Sequence, residues 1–312
     1  MPSPPDTVVE VGKCASTGET ISICYNTFGD PKDPCVLLVM GLNGVGALWR
    51  DHFCQRIADA GFYVIRYDNR DVGLSTRLKE HPAPHVFRMV LPSALSFGER
   101  VPYTLEDMAA DGMNLLTGLG IQEAHVVGCS MGGMLVQIMA IRYPERVRSL
   151  TIIFSHTGSS ERIQESWSTR LWFTDRAESS EMEHVLDLKC RFMCRFAGPF
   201  YTPKVEKERE FYRELLLRAP EDIMGFRRQM AAIQRAKSRA EELKNVKAPT
   251  LIIHGMMDRV IPYENSIQIA SLIGHNAKLV LYPLMGHSLP DELIPSMVQE
   301  IVWNAQRSVD KV

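Results

Sequence analysis

Hydrophobic residues along the chain fall into short continuous runs that are rich in Val, Ile and Leu. Runs of this length without alternating polar positions are typical of strands buried on both faces, as in a parallel sheet. The run at 20–29, together with the Val-rich stretch before it, predicts a leading β-hairpin. The other predicted strands are 35–40, 63–68, 124–129, 149–154, 249–254 and 277–283.

Amphipathic helices are predicted between these strands. After Thr104, apolar residues such as Leu105, Met108 and Leu115 recur at helical spacing. Thr104 and Asp107 resemble a capping box with Asp in place of the usual Glu, which predicts where this helix starts. The alternation of strand and helix predicts an α/β fold, with a mostly parallel central sheet flanked by helices.

The pattern changes between residues 157 and 246, where no strand-like run occurs and charged residues are dense. Apolar residues in this stretch, such as Ile223, Phe226 and Met230, have helical spacing. The strand pattern then resumes at 249. We therefore expect an α/β-hydrolase-like core of residues 1–156 and 247–312, with residues 157–246 inserted as a helical lid.

Composition narrows the class of protein without assigning a reaction. The 312 residues carry a formal net charge of -2, which gives no reason to expect binding to nucleic acid or to an anionic membrane surface. No apolar stretch approaches the roughly 20 residues that span a bilayer. The first ten residues lack the basic and apolar regions of a signal peptide. The 7 cysteines, an odd number without CxxC pairs, predict free thiols, no metal site and a cytoplasmic location.

The stretch GCSMG, residues 128–132, matches the pattern G-x-S-x-G. A strand run precedes it and an apolar helix pattern follows it, which is the context in which the pattern forms a nucleophile elbow. A side chain at Gly128 or Gly132 would collide with the strand or helix beside it. We therefore expect the glycines to leave the hydroxyl of Ser130 exposed above the sheet edge, as a nucleophile.

A serine hydroxyl is a weak nucleophile until a base takes its proton, and an acid must orient that base. In this strand–turn–helix context the acid and then the histidine follow the serine along the chain, each after a strand. Asp258 follows the run 249–254, and His287 follows the run 277–283. They are the predicted acid and base.

Other polar residues near the strands are expected to have structural roles. An ion network that stabilises a loop is predicted ahead of the serine, formed by Asp68, Arg70 and Asp71. His125 lies on the strand before Ser130, and His254 precedes a glycine. His125 is predicted to be structural, and His254 is predicted to be a hydrogen-bonded packing residue.

A tetrahedral oxyanion requires preset N–H donors. The N–H of Met131, directly after the nucleophile, is one candidate. Gly41 follows the run 35–40 and permits a tight turn that aims the N–H of Leu42 at the site. The Met40-Gly41-Leu42 stretch stands where one large class of esterases carries HGGG, which disfavours that class.

Four stretches together resemble the aclacinomycin methylesterase-like serine hydrolases of the α/β-hydrolase superfamily. They are LLVMGLNG, VIRYDNRDVGLST, PYTLEDMAADGMNLLTGLGIQEAHVVGCSMGGM and PTLIIHGMMDRVIP with the later GH. The resemblance implies ester hydrolysis by Ser130, His287 and Asp258, an oxyanion held by the N–H groups of Leu42 and Met131, a helical lid and no cofactor. It is poor from 157 to 246, where the substrate would be selected, so the anthracycline substrate is not carried over.

Several related activities stay open at this point. Thioesterases, carbon–carbon bond hydrolases, perhydrolases and hydroxynitrile lyases share this triad, and a small-molecule receptor on the same fold would also fit. Epoxide hydrolases and haloalkane dehalogenases use a carboxylate nucleophile, which disfavours both. A membrane-surface lipase is disfavoured by the dense charge of the predicted lid.

Methionines cluster around the predicted site, and their adaptable thioethers suit an apolar acyl group, although filling gaps in the core is the alternative. We expect a small-molecule hydrophobic ester with a short-to-medium acyl group as the substrate, no nucleic-acid partner, and a homodimer as an allowed assembly. The residues predicted to line the pocket are Met40, Met257, Met285, His156 and Trp172.

Overall fold

Eight strands form one sheet in the computed structural model, which describes residues 4–85 and 101–308. Their order across the sheet is β1-β2-β4-β3-β5-β6-β7-β8. The strands are β1 (Thr7–Lys13), β2 (Thr20–Phe28), β3 (Cys35–Val39), β4 (Tyr63–Tyr67), β5 (Ala124–Cys129), β6 (Val147–Ile153), β7 (Thr250–Gly255) and β8 (Ala277–Tyr282).

Strand pairing confirms the predicted fold class. The first two strands form the antiparallel hairpin, β2 pairs antiparallel with β4, and every later pair is parallel. Every predicted strand is present, with ends that differ by no more than two residues. Parallel pairing brings the carboxyl ends of the strands to one edge of the sheet, so the loops that follow them meet there.

Helices cover both faces of the sheet. The helices of the core are α1 (Asp51–Ala58), α2 (Leu105–Gly118), α3 (Met131–Arg142), α9 (Glu264–Ile273) and α10 (Ile294–Gln306). Along β3, Val36 and Leu38 pack in one hydrophobic cluster with α1 and α10, whereas Leu37 and Val39 pack in the other with α2, α3 and α9. Each strand residue therefore points to the face opposite its neighbour, and both faces are apolar.

Helix α2 begins where the sequence predicts it. The side chain of Thr104 accepts a hydrogen bond from the N–H of Asp107 (3.1 Å), and the Asp107 carboxylate accepts one from the N–H of Thr104 (2.8 Å). Two N–H groups that the helix itself leaves without a partner are thereby satisfied. The capping box is confirmed.

Residues 157–246 contain helices and no strand, and they separate β6 from β7. We call this segment the cap. Its helices are α4 (Trp167–Trp172), α5 (Met182–Ala197), α6 (Val205–Arg218), α7 (Ile223–Arg235) and α8 (Ala240–Leu243). Helix α7 is joined to the core by Arg228, whose guanidinium makes two 2.8 Å hydrogen bonds to the carboxylate of Asp71 with both side chains buried.

The loop after β4 is braced by ion pairs, as predicted, but the pairs do not join the three residues to one another. Arg70 pairs with Asp111 of helix α2 (2.6 and 2.7 Å). Asp71 pairs with Arg228 of the cap, and the Asp68 carboxylate accepts a hydrogen bond from the N–H of Gly46 (2.7 Å). The sequence prediction was wrong about the partners because they come from elements distant along the chain.

All seven cysteines lie within the described residues, and none of them forms a disulfide. Within 4–85 and 101–308, no helix is long and apolar enough to cross a membrane.

Replacing Arg228 by methionine should lower the free energy of unfolding by about 3–5 kcal/mol, because the carboxylate of Asp71 would stay buried without its charged partner. Urea unfolding followed by circular dichroism measures the change. Arg191, exposed on the cap helix α5, provides a matched control. Its replacement by methionine should change stability by less than about 0.5 kcal/mol. Wild-type stability of the Arg228 variant would contradict the assigned anchor.

Candidate active site

Ser130 occupies a strained turn between β5 and α3. Its φ of 55° and ψ of -120° place it in a backbone region that residues with a side chain rarely adopt. The turn is held because the N–H of Ser130 donates to the carbonyl of Ile153 at the end of β6 (2.9 Å), and the Ser155 hydroxyl donates to the carbonyl of Ser130 (2.8 Å). Such strain persists where the surroundings over-determine it, and it is concentrated at functional sites.

The glycines around Ser130 are required by close packing. A Cβ atom on Gly132 would overlap the backbone carbonyl of Val39 at the end of β3, and one on Gly128 would overlap the backbone of Gly132. Both collisions are the ones that the sequence predicts. Without side chains at these positions, helix α3 starts directly against the strands and the serine hydroxyl faces outward.

The structure brings Ser130, His287 and Asp258 into one hydrogen-bonded chain. The Nε2 atom of His287 lies 3.0 Å from the Ser130 Oγ, and its Nδ1 atom lies 2.6 Å from the Oδ2 of Asp258. Asp258 follows β7 and His287 follows β8, and these two strands pair in register at their carboxyl ends. Residues separated by up to 157 positions therefore meet at one sheet edge.

The state of Asp258 determines the tautomer of His287. Burial alone would raise the pKa of this carboxyl, but the facing imidazoles of His287 and His254 lower it to about 2. Its Oδ1 also accepts the N–H groups of Val260 (2.8 Å) and Ile261 (2.9 Å). An ionised carboxylate only accepts hydrogen bonds, so the His287 Nδ1 carries the proton and its Nε2 is available to accept the hydroxyl proton of Ser130.

His254 was predicted to be a packing residue, and the structure gives it a contact with the acid. Its Nε2 lies 2.8 Å from the carbonyl of Ile261 and 3.2 Å from the Oδ2 of Asp258. Since a carbonyl only accepts, the Nε2 is protonated, and the Nδ1 forms a hydrogen bond with the hydroxyl of Ser266 (2.6 Å). The sequence signal for this contact was the spacing of four residues within HGMMD, because it places His254 near the end of β7 and Asp258 in the loop that follows the strand.

The loop after β3 passes beside Ser130. A Cβ atom on Gly41 would lie 3.1 Å from the Ser130 Cβ, so a larger residue would crowd the serine. Leu42 follows this glycine, and Met131 is the first residue of helix α3, where N–H groups lack partners within the helix. Asn69 fixes the start of the loop, because its side-chain amide donates to the carbonyl of Met40 (2.9 Å). Asn69 was not among the residues predicted from the sequence.

A cavity of about 1310 Å³ lies between the core and the cap, and Ser130 and His287 line it. Apolar and charged side chains both line it, and most of the charged ones belong to the cap. The apolar lining includes Met40, Leu42, Met134, Phe154, Phe226, Met230 and Ile233.

Two of the five predicted pocket residues, Met40 and His156, line this cavity, and three do not. Met285 is fully buried in the hydrophobic cluster beneath the sheet edge. Met257 is 42% exposed, and Trp172 packs against the guanidinium groups of Arg195 and Arg259. Met257 and Met285 lie within two residues of Asp258 and His287 in the sequence, but their side chains do not line the cavity.

His156 lines the cavity as a neutral ring. Burial lowers its pKa well below the ordinary value, and the positive charges of Arg162 and Arg239 lower it further. Its Nδ1 accepts the N–H of Gly158 (3.0 Å), so its Nε2 carries the single proton. Within the described ranges, no group of three or more His, Cys, Asp or Glu side chains is arranged to hold a metal ion.

Comparison with known proteins assigns the family. Residues 34–292 match the α/β hydrolase fold family, and the chain belongs to it. Rhodomycin D methylesterase of Streptomyces peucetius is 29% identical over 300 residues, which cover 88% of this chain and 91% of that protein. The resemblance drawn from the sequence to methylesterase-like members of the family is thereby confirmed.

Two further matches show how widely this fold is used. The 2-hydroxymuconate semialdehyde hydrolase of Pseudomonas putida is 31% identical over 214 residues, which cover 64% of this chain and 70% of that protein. A thermophilic esterase from Thermogutta terrifontis, whose structure is solved, matches with a TM-score of 0.69 and 22% identity, covering 97% of this chain and 99% of that one. This structural match shows the fold alone.

The difference in unfolding free energy between the wild type and Asp258→Asn should depend on pH. The folded-state pKa of about 2 lies below the ordinary 3.8. The ionised carboxylate therefore contributes stability above about pH 4 and loses it as the pH falls from 3.8 towards 2. We expect a gap of about 2 kcal/mol at pH 6 that shrinks below pH 4.

Urea titrations at pH 6, 4 and 3 measure this gap. Asp30→Asn, at an exposed turn, serves as the control for removing one carboxylate. A gap for Asp258→Asn that is constant across the pH range would show that the charge of this carboxylate is not stabilised by the fold.

Proposed function

We propose that the protein is a serine hydrolase that cleaves carboxylic esters through an acyl-enzyme intermediate. The observation that carries the proposal is the hydrogen-bonded chain from Ser130 through His287 to Asp258, with Ser130 and His287 lining the cavity. A buried ionised acid, an oriented imidazole and a serine hydroxyl at the cavity wall are the parts that nucleophilic acyl transfer needs.

In the first half of the reaction the Ser130 Oγ attacks the ester carbonyl carbon while the His287 Nε2 takes the hydroxyl proton. Asp258 stabilises the imidazolium that forms. His287 then gives the proton to the departing alkoxide, which leaves as the alcohol, and Ser130 carries the acyl group. In the second half, water attacks the acyl carbon while the His287 Nε2 takes a proton from it. The bond between the acyl carbon and the Ser130 Oγ then breaks, His287 returns the proton to that Oγ, and the carboxylic acid leaves.

The oxyanion of each tetrahedral intermediate would be held by the N–H groups of Leu42 and Met131. Support for this assignment comes from the turn at Gly41, which passes beside Ser130, and from the start of helix α3 at Met131. A helix N-terminus favours negative charge, and preset donors at a developing oxyanion are each worth about 3 kcal/mol in related sites.

A hydrophobic ester with a short-to-medium acyl group is the substrate class we propose. The apolar lining beside Ser130 supports it, with Met40 and Met134 able to adapt to acyl groups of different shape. The cap, residues 157–246, would act as the lid over this cavity. The cavity volume exceeds what a small acyl group fills, which leaves room for a bulky alcohol or acid on the other side of the ester.

Similarity to a methylesterase supports ester hydrolysis, and similarity to a 2-hydroxymuconate semialdehyde hydrolase keeps a carbon–carbon substrate as the second candidate. Thioester hydrolysis and perhydrolysis use the same residues. No cofactor enters any of these steps. A cytoplasmic location and a homodimer stay predictions, and light scattering on the purified chain measures its mass.

Ser130→Ala should lower kcat for a p-nitrophenyl ester by about three or more orders of magnitude and leave the fold intact, because the nucleophile alone is removed. Initial rates with circular dichroism spectra of both proteins make the measurement. Ser296→Ala is the matched control, since that hydroxyl lies on helix α10 and bonds to Tyr282 outside the cavity. Wild-type turnover by the Ser130 variant would show that the site is wrongly assigned.

For wild-type protein, kcat/KM should rise from p-nitrophenyl acetate to the butyrate or hexanoate and then fall towards the decanoate. Each added methylene buries apolar surface worth about 0.8 kcal/mol until the apolar face is filled. The same series with Ser130→Ala gives the background rate. A monotonic fall from acetate onward would contradict the proposed acyl preference.

A further inference from the structure

The loop of residues 40–44 is clamped by two side-chain amides. At its start, Asn69 of the core donates to the carbonyl of Met40 (2.9 Å). At its other end, Gln229 of the cap helix α7 accepts the N–H of Asn43 (2.8 Å) on its Oε1 atom. The proposed oxyanion donor, the N–H of Leu42, lies between these two attachments.

Gln229 has the burial and the partners of a fixed bracket. Its side chain is fully buried, and its Nε2 donates to the carbonyl of Arg70 (2.8 Å) while its Oε1 accepts from Asn43. An N–H only donates and a backbone carbonyl only accepts, so these partners fix the orientation of the amide. Gln229 therefore joins the loop after β3 to the loop after β4 through a residue of the cap.

Asn43 lies in a turn that the cap holds at two points. Its φ of 56° is left-handed, a conformation that Asn adopts more readily than most residues with a side chain. The turn is closed by the N–H of Gly44, which donates to the carbonyl of Gly41 (3.1 Å), and the Asn43 side-chain amide donates to Glu221 of the cap (2.9 Å). Gln229 supplies the acceptor for the Asn43 backbone N–H. Loss of that acceptor would release the peptide between Leu42 and Asn43 from the cap helix and let the turn that carries Leu42 shift.

We propose that Gln229 is a positioning residue for the reaction: from the cap, it holds Asn43 so that the N–H of Leu42 faces the oxyanion that forms at Ser130. The inference deepens the proposed function and rests on it. The cap would then complete the oxyanion site as well as cover the cavity, so helix α7 has to stay docked while the substrate enters between other parts of the cap.

Helix α7 does not depend on Gln229 for its attachment. The neighbouring Arg228 pairs with Asp71 through two 2.8 Å hydrogen bonds, and Gly225 packs directly against the backbone of Asp71. A Gln229 variant is therefore expected to keep the helix in place. This separation lets the positioning role be tested without releasing the cap.

The test is the rate at which a fluorophosphonate modifies Ser130, together with kcat and KM for a p-nitrophenyl ester, in Gln229→Met. Methionine has a similar length but neither donates to Arg70 nor accepts from Asn43. We expect phosphonylation and kcat to fall together, by about tenfold or more, with KM within about twofold, since loss of a full oxyanion donor costs about 100-fold to 1000-fold.

Asn304→Leu is the matched control for removing a buried amide. Asn304 is fully buried in helix α10 and donates to the carbonyls of Leu150 and Pro249, away from the cavity. This variant should lose stability but keep the wild-type phosphonylation rate and kcat. All rates are measured well below the melting temperature of both variants.

A folded Gln229→Met protein with the wild-type phosphonylation rate would overturn the inference and leave the proposed function standing. An increase in KM at unchanged kcat would also overturn it, because Gln229 would then only shape substrate binding. A wild type that neither reacts with the fluorophosphonate nor hydrolyses esters would overturn the proposed function, and the inference with it.

Discussion

Contact between helix α3 and the strand ends at Ser130 is the constraint on which the rest of the site depends. The serine can stand at a φ of 55° only because the helix starts directly against β3 and β5, with glycine at the two points of contact. This packing turns the hydroxyl outward and leaves the first N–H of the helix beside it. Two features that acyl transfer requires therefore follow from one backbone arrangement.

Buried charges and amides extend this arrangement from the core to the cap. Arg228 and Gln229 are consecutive on helix α7. Arg228 bonds to Asp71 in the loop after β4, and Gln229 bonds to Arg70 in that loop and to Asn43 in the loop after β3. Breaking a buried ion pair leaves an uncompensated charge, so such contacts specify one docking position strongly. Helix α7 of the cap is thereby joined to the core loops after β3 and β4, and residues of helices α4, α5 and α6 also line the cavity.

Much of the fold, and the candidate site residues, could be predicted from the pattern of hydrophobic and polar residues over short stretches of the sequence. The continuous apolar runs identified the strands because both faces of a parallel sheet are covered, and each residue on such a strand is buried whichever way it points. Ser130, Asp258 and His287 could be predicted to lie together because each follows the end of a strand within five residues, and the ends of parallel strands share an edge. Pocket residues such as Met285 were placed wrongly because side-chain direction in a loop has no such regularity.

The sequence by itself determined the strands, the position of the inserted helices, the tight turn at Ser130 and the order of the three candidate side chains. These features depend on residues that are close together in the sequence. The spacing of hydrophobic residues marks the strands and helices, glycines mark the tight turn, and the candidate side chains lie just after strand ends. Only the tertiary structure decided that His254 contacts Asp258, that Arg70 pairs with Asp111, and that Gln229 reaches Asn43. Hydrogen bonds and ion pairs act over about 3 Å in space, so their partners become defined only after folding brings distant segments together.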